Sequence, residues 1–131
     1  MSWSKIEMVT QLNHYPAAIA QAAQRVNELD SQIMAVQQLI SREEGNADRL
    51  SAFDVDLKND TQRKARRFEA LLTHQEYQTA VNTLMRLTAD KANAIAHLEY
   101  LRNQFSVAKL EARLEIAKQL TDFESRELVG L

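Results

Sequence analysis

The sequence contains no cysteine, two glycines and one proline among its 131 residues. Without cysteine the chain can form neither a disulfide nor a thiolate metal site, and it has no cysteine nucleophile. This composition fits a reducing compartment, so we expect a cytoplasmic protein. Because glycine and proline form most tight turns, their scarcity predicts few loops and few strands. The fold class that follows is all-α.

Long apolar runs and an excess of one charge are also missing. The two longest runs, Ala17–Ala20 and Ile33–Val36, have four residues each, whereas a membrane-spanning helix needs about 20. The first residues lack the apolar core of a secretory signal, and we expect no membrane partner. The formal net charge is −2. Proteins that coat nucleic acid are usually basic, so any such binding here must be local to a patch.

The first third of the chain predicts two helices. Ser4 opens a capping-box pattern, which indicates a helix over about residues 4–13. Pro16 cannot donate the helical hydrogen bond, so it should end this helix and open the next, over about residues 16–44. Gly45 can take the left-handed conformation that terminates many helices, and we expect the second helix to stop there.

The second helix carries apolar residues at alternating spacings of three and four, the heptad pattern of a coiled coil. This seam consists of Ile19, Ala22, Val26, Leu29, Ile33, Val36 and Ile40. Ala18, Ala23 and Leu39 widen the stripe. So wide a stripe suits a bundle with two or more neighbouring helices better than a two-stranded zipper.

A short segment with a different pattern, about residues 52–58, lies between the helices. Phe53, Val55 and Leu57 alternate with polar residues, and a period of two is typical of an extended chain. A lone strand is not stable, so a β-strand here would pair with a symmetry copy of itself. The alternative is an extended linker whose three apolar side chains lie on a neighbouring helix. The pattern leaves both alternatives open.

A capped helix over about residues 60–72 follows this segment. Asn59 or Asp60 supplies the N-cap, and Asn59 with Gln62 has the spacing of a capping box. On this helix three apolar residues share an inward face, and three arginines lie on the opposite arc. The inward residues are Ala65, Phe68 and Leu72, and the outward ones are Arg63, Arg66 and Arg67.

The basic residues at this helix start are a candidate anion site. They lie beside helix amides that favour anions, so the patch could bind the phosphates of nucleic acid or an acidic protein. The candidate binding residues are Lys58, Arg63, Arg66 and Arg67. Solvated charges on a coiled-coil surface would show the same pattern.

The last predicted helix spans about residues 75–124, after a break at the capping-box spacing that starts at Thr73. Its heptad seam comprises Ala80, Leu84, Leu87, Lys91, Ala94, Leu98, Leu101, Phe105 and Ala108. Beyond this seam the stripe shifts to Leu110, Leu114, Ala117 and Leu120. Such a shift indicates a change of partner or a local unwinding of the supercoil.

The two long helices differ in length, because the helix over 16–44 covers little more than half of the last one. The remainder must pair with another copy or project. We therefore expect one helical domain over residues 1–131, a long antiparallel helical hairpin or coiled-coil bundle, that forms a homo-oligomer, either dimer or tetramer. The predicted subunit contacts are Phe53, Val55, Leu57, Leu98, Leu101, Phe105, Leu110 and Leu114.

Sequence signatures of catalysis and of metal binding are missing. None of His14, His74 and His97 has a Glu three residues before it, which excludes the Glu-x-x-His pair of di-iron bundles. Phosphate-binding loops and nucleophile elbows require glycines that this chain does not have. We expect no catalytic residue, no metal, no cofactor and no enzymatic activity.

Several short motifs between Leu57 and about Leu110 carry a resemblance. They are Leu57-Lys58-Asn59-x-x-Gln62-Arg63-Lys64-Ala65, Leu71-Leu72, Glu76-Tyr77-Gln78 and Tyr100-Leu101-Arg102-Asn103-x-Phe105. In these motifs the chain resembles small uncharacterised helical coiled-coil proteins of phages and mobile elements. The resemblance implies an accessory role in DNA replication or recombination and no residue-level activity. The two N-terminal helices have no counterpart in that group.

The leading functional hypothesis is a non-enzymatic, homo-oligomeric coiled-coil scaffold or interaction protein. One alternative is an accessory nucleic-acid-binding protein that uses the basic helix start. The other is an adaptor for an acidic protein partner.

Overall fold

The computed structural model describes residues 5–130. In this range the chain is all-α, as predicted: α1 spans Lys5–Ala52, α2 spans Asp60–Thr73 and α3 spans Gln75–Gly130, with no strand. None of these helices combines the length and the apolar character that crossing a membrane requires. The predicted cap at Ser4 lies outside the described residues.

The chain divides into two compact units of contacting residues. The first unit combines α1 up to Arg25 with α3 from Ala94 onward. The second unit is Val26–Asn93, which holds the rest of both long helices together with α2.

Within the second unit α1 and α3 run antiparallel. Asp30 of α1 lies 2.6 Å from Lys91 of α3. Glu43, further along α1, lies 3.0 Å from His74, just before α3 begins. As the residue number increases along α1, the number of its contact residue decreases. The two helices are therefore antiparallel and form the predicted helical hairpin. The pair also gives the polar member of the α3 seam, Lys91, a partner of opposite charge.

α1 continues through Pro16, where the sequence predicted a break. Proline inside a helix removes one backbone hydrogen bond and crowds the preceding turn, at a cost of about 3 kcal/mol. The neighbouring Tyr15 is buried and stacks on Phe105 of α3, with ring centroids 5.5 Å apart. Ala22, two turns later, is buried as well. Packing on both sides of the proline thus overrides its local preference.

The predicted stop at Gly45 is also wrong, because α1 runs on to Ala52. Gly45 does not have the positive φ of a helix-terminating glycine. On the following turns Ala47 and Ser51 are both buried, and Ser51 Oγ donates a 3.0 Å hydrogen bond to the Ala47 carbonyl. Burial of these two small residues extends the helix beyond the glycine.

α2 begins at the predicted cap, with Asn59 as the N-cap residue. The backbone N–H of Gln62 donates to Asn59 Oδ1 at 2.9 Å. The Gln62 side chain completes the box one residue upstream of the cap, because its Oε1 accepts the backbone N–H of Lys58 at 2.7 Å. The arrangement is therefore a variant of the capping box, in which the Gln62 side chain bonds the residue before the N-cap.

His74 separates α2 from α3. Its backbone N–H donates to the Leu71 carbonyl at 3.3 Å, and its ring Nδ1 accepts the backbone N–H of Tyr77 at 3.2 Å. The first bond closes α2 and the second caps α3. The chain thus breaks where expected, but Thr73 is not the cap, since its hydroxyl donates back to the Glu69 carbonyl.

The segment after α1 is a loop, with no strand in this described stretch. Asp54 organises it: its carbonyl accepts the N–H of Leu57 at 3.3 Å, and its Oδ1 accepts the N–H of Asp56 at 3.0 Å. An Asp side chain that bonds the backbone two residues on makes a local turn, which replaces the extended conformation. Phe53 and Val55 are 81% and 93% exposed, so they do not lie on a neighbouring helix.

The buried side of α3 follows the predicted seam and then departs from the predicted shift. Leu87 and Leu98 are buried, and so is Ala112, which continues the same spacing. Leu110 and Leu114, where a shift was expected, are exposed. α3 also passes its predicted end near residue 124, and residues 116–129 are all exposed.

The buried core is small and rich in alanine. Among the described residues nine hydrophobic side chains are buried, four of them alanines, and Leu29 is the only large one that is fully buried. Small side chains let helices approach closely, but each removes little apolar area from water. Much of the apolar surface of the described chain therefore stays exposed.

Candidate functional site

Some residues of the predicted basic patch form ion pairs within the chain, and Arg67 is the clearest case. Its Nη2 lies 3.3 Å from Glu44 Oε2, and its Nε donates to Asp48 Oδ1. Both carboxylates belong to α1 and are four residues apart, so they share one face of that helix. Arg67 therefore joins α2 to α1 and does not point into solvent as expected.

The other three residues of the patch differ in their contacts. Arg63 pairs with Asp60 of the same helix at 3.4 Å. Lys58 is exposed and Arg66 is half-buried, and neither forms an ion pair within the described chain. Two of the four candidate cations thus have carboxylate neighbours that offset their charge toward an external anion.

The buried face of α2 is also different from the predicted one. Leu71 is 7% exposed, whereas Phe68 is 66% exposed and Leu72 is 58% exposed. Ala65, the third residue of the predicted inward face, is exposed too. Arg67 explains the difference, because it precedes Leu71 by four residues and shares its face. With Arg67 held by α1, Leu71 turns inward and the Phe68 face turns to solvent.

Glu43, His74 and Glu76 place three potential metal-ligand atoms within 4.8 Å of one another. Nδ1 of His74 accepts the N–H of Tyr77, so the proton of the ring lies on Nε2 and faces Glu43 Oε2 at 3.0 Å. A metal-ligating imidazole needs a free lone pair on one nitrogen, usually with a proton donated by the other. Both nitrogens are already used, and the cluster works as a helix cap tied to α1.

The first unit has a polar and aromatic contact that the sequence analysis missed. The hydroxyl of Tyr15 donates to Gln104 Oε1 at 3.3 Å and accepts from Gln11 Nε2 at 3.2 Å. On Phe105, which stacks on this tyrosine, Lys109 Nζ lies 4.5 Å from the ring centroid. Tyr15 is four residues before Ile19, so the heptad spacing of α1 already included it.

The predicted subunit contacts divide into two groups. Leu98 is buried, and Leu101, Phe105 and Leu57 are half-buried within the chain itself. These residues pack at least partly inside the chain. The exposed group is Phe53, Val55, Leu110 and Leu114.

A second heptad seam runs along the exposed side of α3. It consists of Tyr100, Asn103, Val107, Leu110, Leu114 and Ala117, at spacings of three and four. All six residues are exposed, and the four large apolar ones are 54–62% exposed. Leu110, Leu114 and Ala117 belong to the stripe that the sequence predicted beyond the first seam, and Tyr100, Asn103 and Val107 extend it toward the start of α3.

This second seam borders an open groove in the first unit. Tyr100, Val107 and Leu114 line the groove together with Met8 and Leu12 of α1, and its volume is about 780 Å³. Many of the lining side chains are exposed, so the groove resembles a helix-binding surface more than an enclosed ligand cavity.

No protein-family model matches the chain, and neither the curated proteins nor the solved structures contain a match. Family membership therefore assigns no activity to the chain. Its described residues offer ion pairs that join the helices and a long exposed apolar seam.

Proposed function

We propose that the chain is a non-enzymatic helical scaffold that acts as a homo-oligomer, in which further copies cover its exposed apolar surface. The balance between exposed and buried apolar residues carries this proposal. Eighteen large hydrophobic side chains of the described chain are exposed, whereas nine hydrophobic residues are buried. Monomeric soluble proteins rarely expose large contiguous apolar patches, and such patches mark interaction surfaces.

The total exposed area supports the same proposal. The 15.0 kDa chain exposes 10118 Å². A folded monomer of this mass exposes roughly 7,000 Å², so this chain exposes roughly 3,000 Å² more. Interfaces of obligate homodimers bury roughly 2,000–5,000 Å² in total, half of it from each partner. Each interface of this kind covers roughly 1,000–2,500 Å² per chain, so one interface would cover much of the excess and two would cover it all.

Thermal unfolding at several protein concentrations tests the proposal. Assembly stabilises the folded state by mass action, so the unfolding midpoint should rise between about 1 and 100 μM protein. Circular dichroism at 222 nm follows the loss of helix. A reversible transition whose midpoint is the same at all concentrations would contradict the homo-oligomer.

An accessory nucleic-acid role is the second hypothesis, implied by the resemblance and supported by Lys58 and Arg66, which have no ion pair in the described chain. Arg63 and Arg67 contribute less to it because carboxylates face them. Binding through these cations should weaken steeply with added salt. No shift of single- or double-stranded DNA at low salt would eliminate this role. An adaptor for an acidic protein would instead retain its partner after nuclease treatment.

A further inference from the structure

We propose that a second copy of this chain packs along the second seam of α3, with the two α3 helices antiparallel. In the proposed register Tyr100 of one copy lies opposite Leu110 of the other. This inference rests on the proposed homo-oligomer and names the surface that joins two of its copies.

The pattern of the seam fits a helix as its occupant. Apolar residues at every third and fourth position form a narrow stripe, which is the pattern that pairs two helices. Its four large apolar side chains are each more than half exposed. A symmetric pair of seams would cover eight of them, a substantial share of the excess apolar surface.

The groove beside the seam supports the same occupant. Tyr100, Val107 and Leu114 belong both to the seam and to the groove wall, and Met8 and Leu12 form the opposite wall. A helix seated on the seam would therefore have α1 side chains along one flank. Contact with two helices buries more apolar surface than contact with one.

Charges beside the seam disfavour a parallel pair. In a parallel coiled coil, the residue just before each a position (position g) lies near the residue five positions further along in the partner (position e). In this seam Tyr100, Val107 and Leu114 are the a positions. Arg113 of each copy would then lie beside Lys118 of the other. Symmetry makes this like-charge contact occur twice, and each occurrence opposes assembly.

The same charges select one antiparallel register. With Tyr100 opposite Leu110 of the second copy, Arg113 lies beside Glu99 of that copy, again twice by symmetry. Glu99 and Arg113 are both exposed, and neither has an ion-pair partner in the described chain. Glu99 and Arg113 have no ion-pair partner within the described part of one copy, and the proposed register lets each pair with the other across the two copies.

Other registers lack this complementarity. If one helix slides by one heptad, Arg113 lies beside Ser106 of the second copy and forms no ion pair. If it slides by two heptads, each Arg113 approaches its own symmetry copy, and each Glu111 does the same. Both of these contacts join like charges and oppose that register.

Engineered cysteines test the seam, because the chain has no cysteine of its own. The variant carrying both Tyr100→Cys and Leu110→Cys should form a disulfide-linked dimer under mild oxidation. The two positions are about 15 Å apart along one helix, whereas a disulfide needs Cα atoms within about 7 Å. The bond can therefore form only between copies. A non-reducing gel detects it, and light scattering of the reduced variant shows whether it still assembles.

The two single variants are the matched controls. Neither Tyr100→Cys nor Leu110→Cys should cross-link alone, because each would face the other residue type. Cross-linking of a single variant as fast as the double variant would overturn the antiparallel register. A double variant that assembles without cross-linking would overturn the seam and leave the proposed scaffold intact. A wild-type chain that is monomeric by light scattering would overturn both.

Charge reversal tests the register independently. Arg113→Glu should weaken assembly about tenfold, because it replaces two attractive contacts by two repulsive ones. Adding Glu99→Arg to the same chain should restore the original dissociation constant. Arg126→Glu changes an exposed arginine outside the seam region and should have no effect. Failure of the double reversal to restore assembly would overturn the register.

Discussion

Arg67 is the residue on which the orientation of α2 depends. It contacts Glu44 and Asp48, one helical turn apart on α1. These contacts fix which face of α2 meets α1, and Leu71 is buried as a result. Arg67, which the sequence placed in a binding patch, thus forms ion pairs that join α2 to α1.

Replacing Arg67 by Ala should lower the free energy of unfolding by about 1 kcal/mol. The pairs are partly exposed, so each contributes little, but the same side chain makes both contacts. Urea unfolding at a fixed protein concentration measures the change. Arg66→Ala is the matched control and should change the stability by a few tenths of a kcal/mol at most. Equal losses in the two variants would show that the contacts to α1 add nothing.

Single residues were predictable where the heptad spacing alone decides their environment. Leu87 and Leu98 are buried as expected. Lys91 was predicted to interrupt the apolar seam of α3. Its ion-pair partner Asp30 belongs to α1, so the sequence of α3 alone does not reveal it. The sequence was equally unable to show which of Leu71 and Leu72 is buried. This depends on how two helices are aligned, which the pattern of one helix does not contain.

At the scale of elements, the break before α3 and the cap of α2 follow from local sequence. Asn59 forms the predicted cap because its partners lie within three residues. At Pro16 and Gly45 the local sequence predicted helix ends that do not occur. Both residues lie within α1 next to turns that contain buried residues. Helix propensity is a local quantity, and tertiary packing outweighs it here.

The alternation from Phe53 to Leu57 misled in a similar way. A period of two suits a strand only if another strand supplies its hydrogen bonds. Asp54 supplies local ones instead, to the backbone of Asp56 through its side chain and of Leu57 through its carbonyl. The segment therefore turns, and its apolar side chains stay exposed.

Gly45→Ala distinguishes a continuous α1 from a helix that stops at the glycine. Within a continuous helix the substitution should raise the free energy of unfolding by about 0.5–1 kcal/mol. A Cβ at this position meets nothing within 4 Å, so no clash offsets the gain. Chemical denaturation measures the sign of the change. A helix that ended in a left-handed Gly45 would instead lose stability.

At the scale of the whole molecule, much of the apolar surface of α3 stays uncovered. The sequence indicated a change of partner or a local unwinding of the supercoil near Leu110 and Leu114, and these two residues are exposed. The internal seam continues instead through Ala112. The residues that seemed to shift that seam belong to a second one, which a sequence pattern alone cannot separate from the first.

The molar mass in solution tests the homo-oligomeric scaffold most directly. Size-exclusion chromatography with multi-angle light scattering at about 10 μM protein, where obligate oligomers stay assembled, gives this mass independently of shape. We predict a single species of two or four times 15.0 kDa. A stable, fully helical species of 15.0 kDa at this concentration would contradict the account.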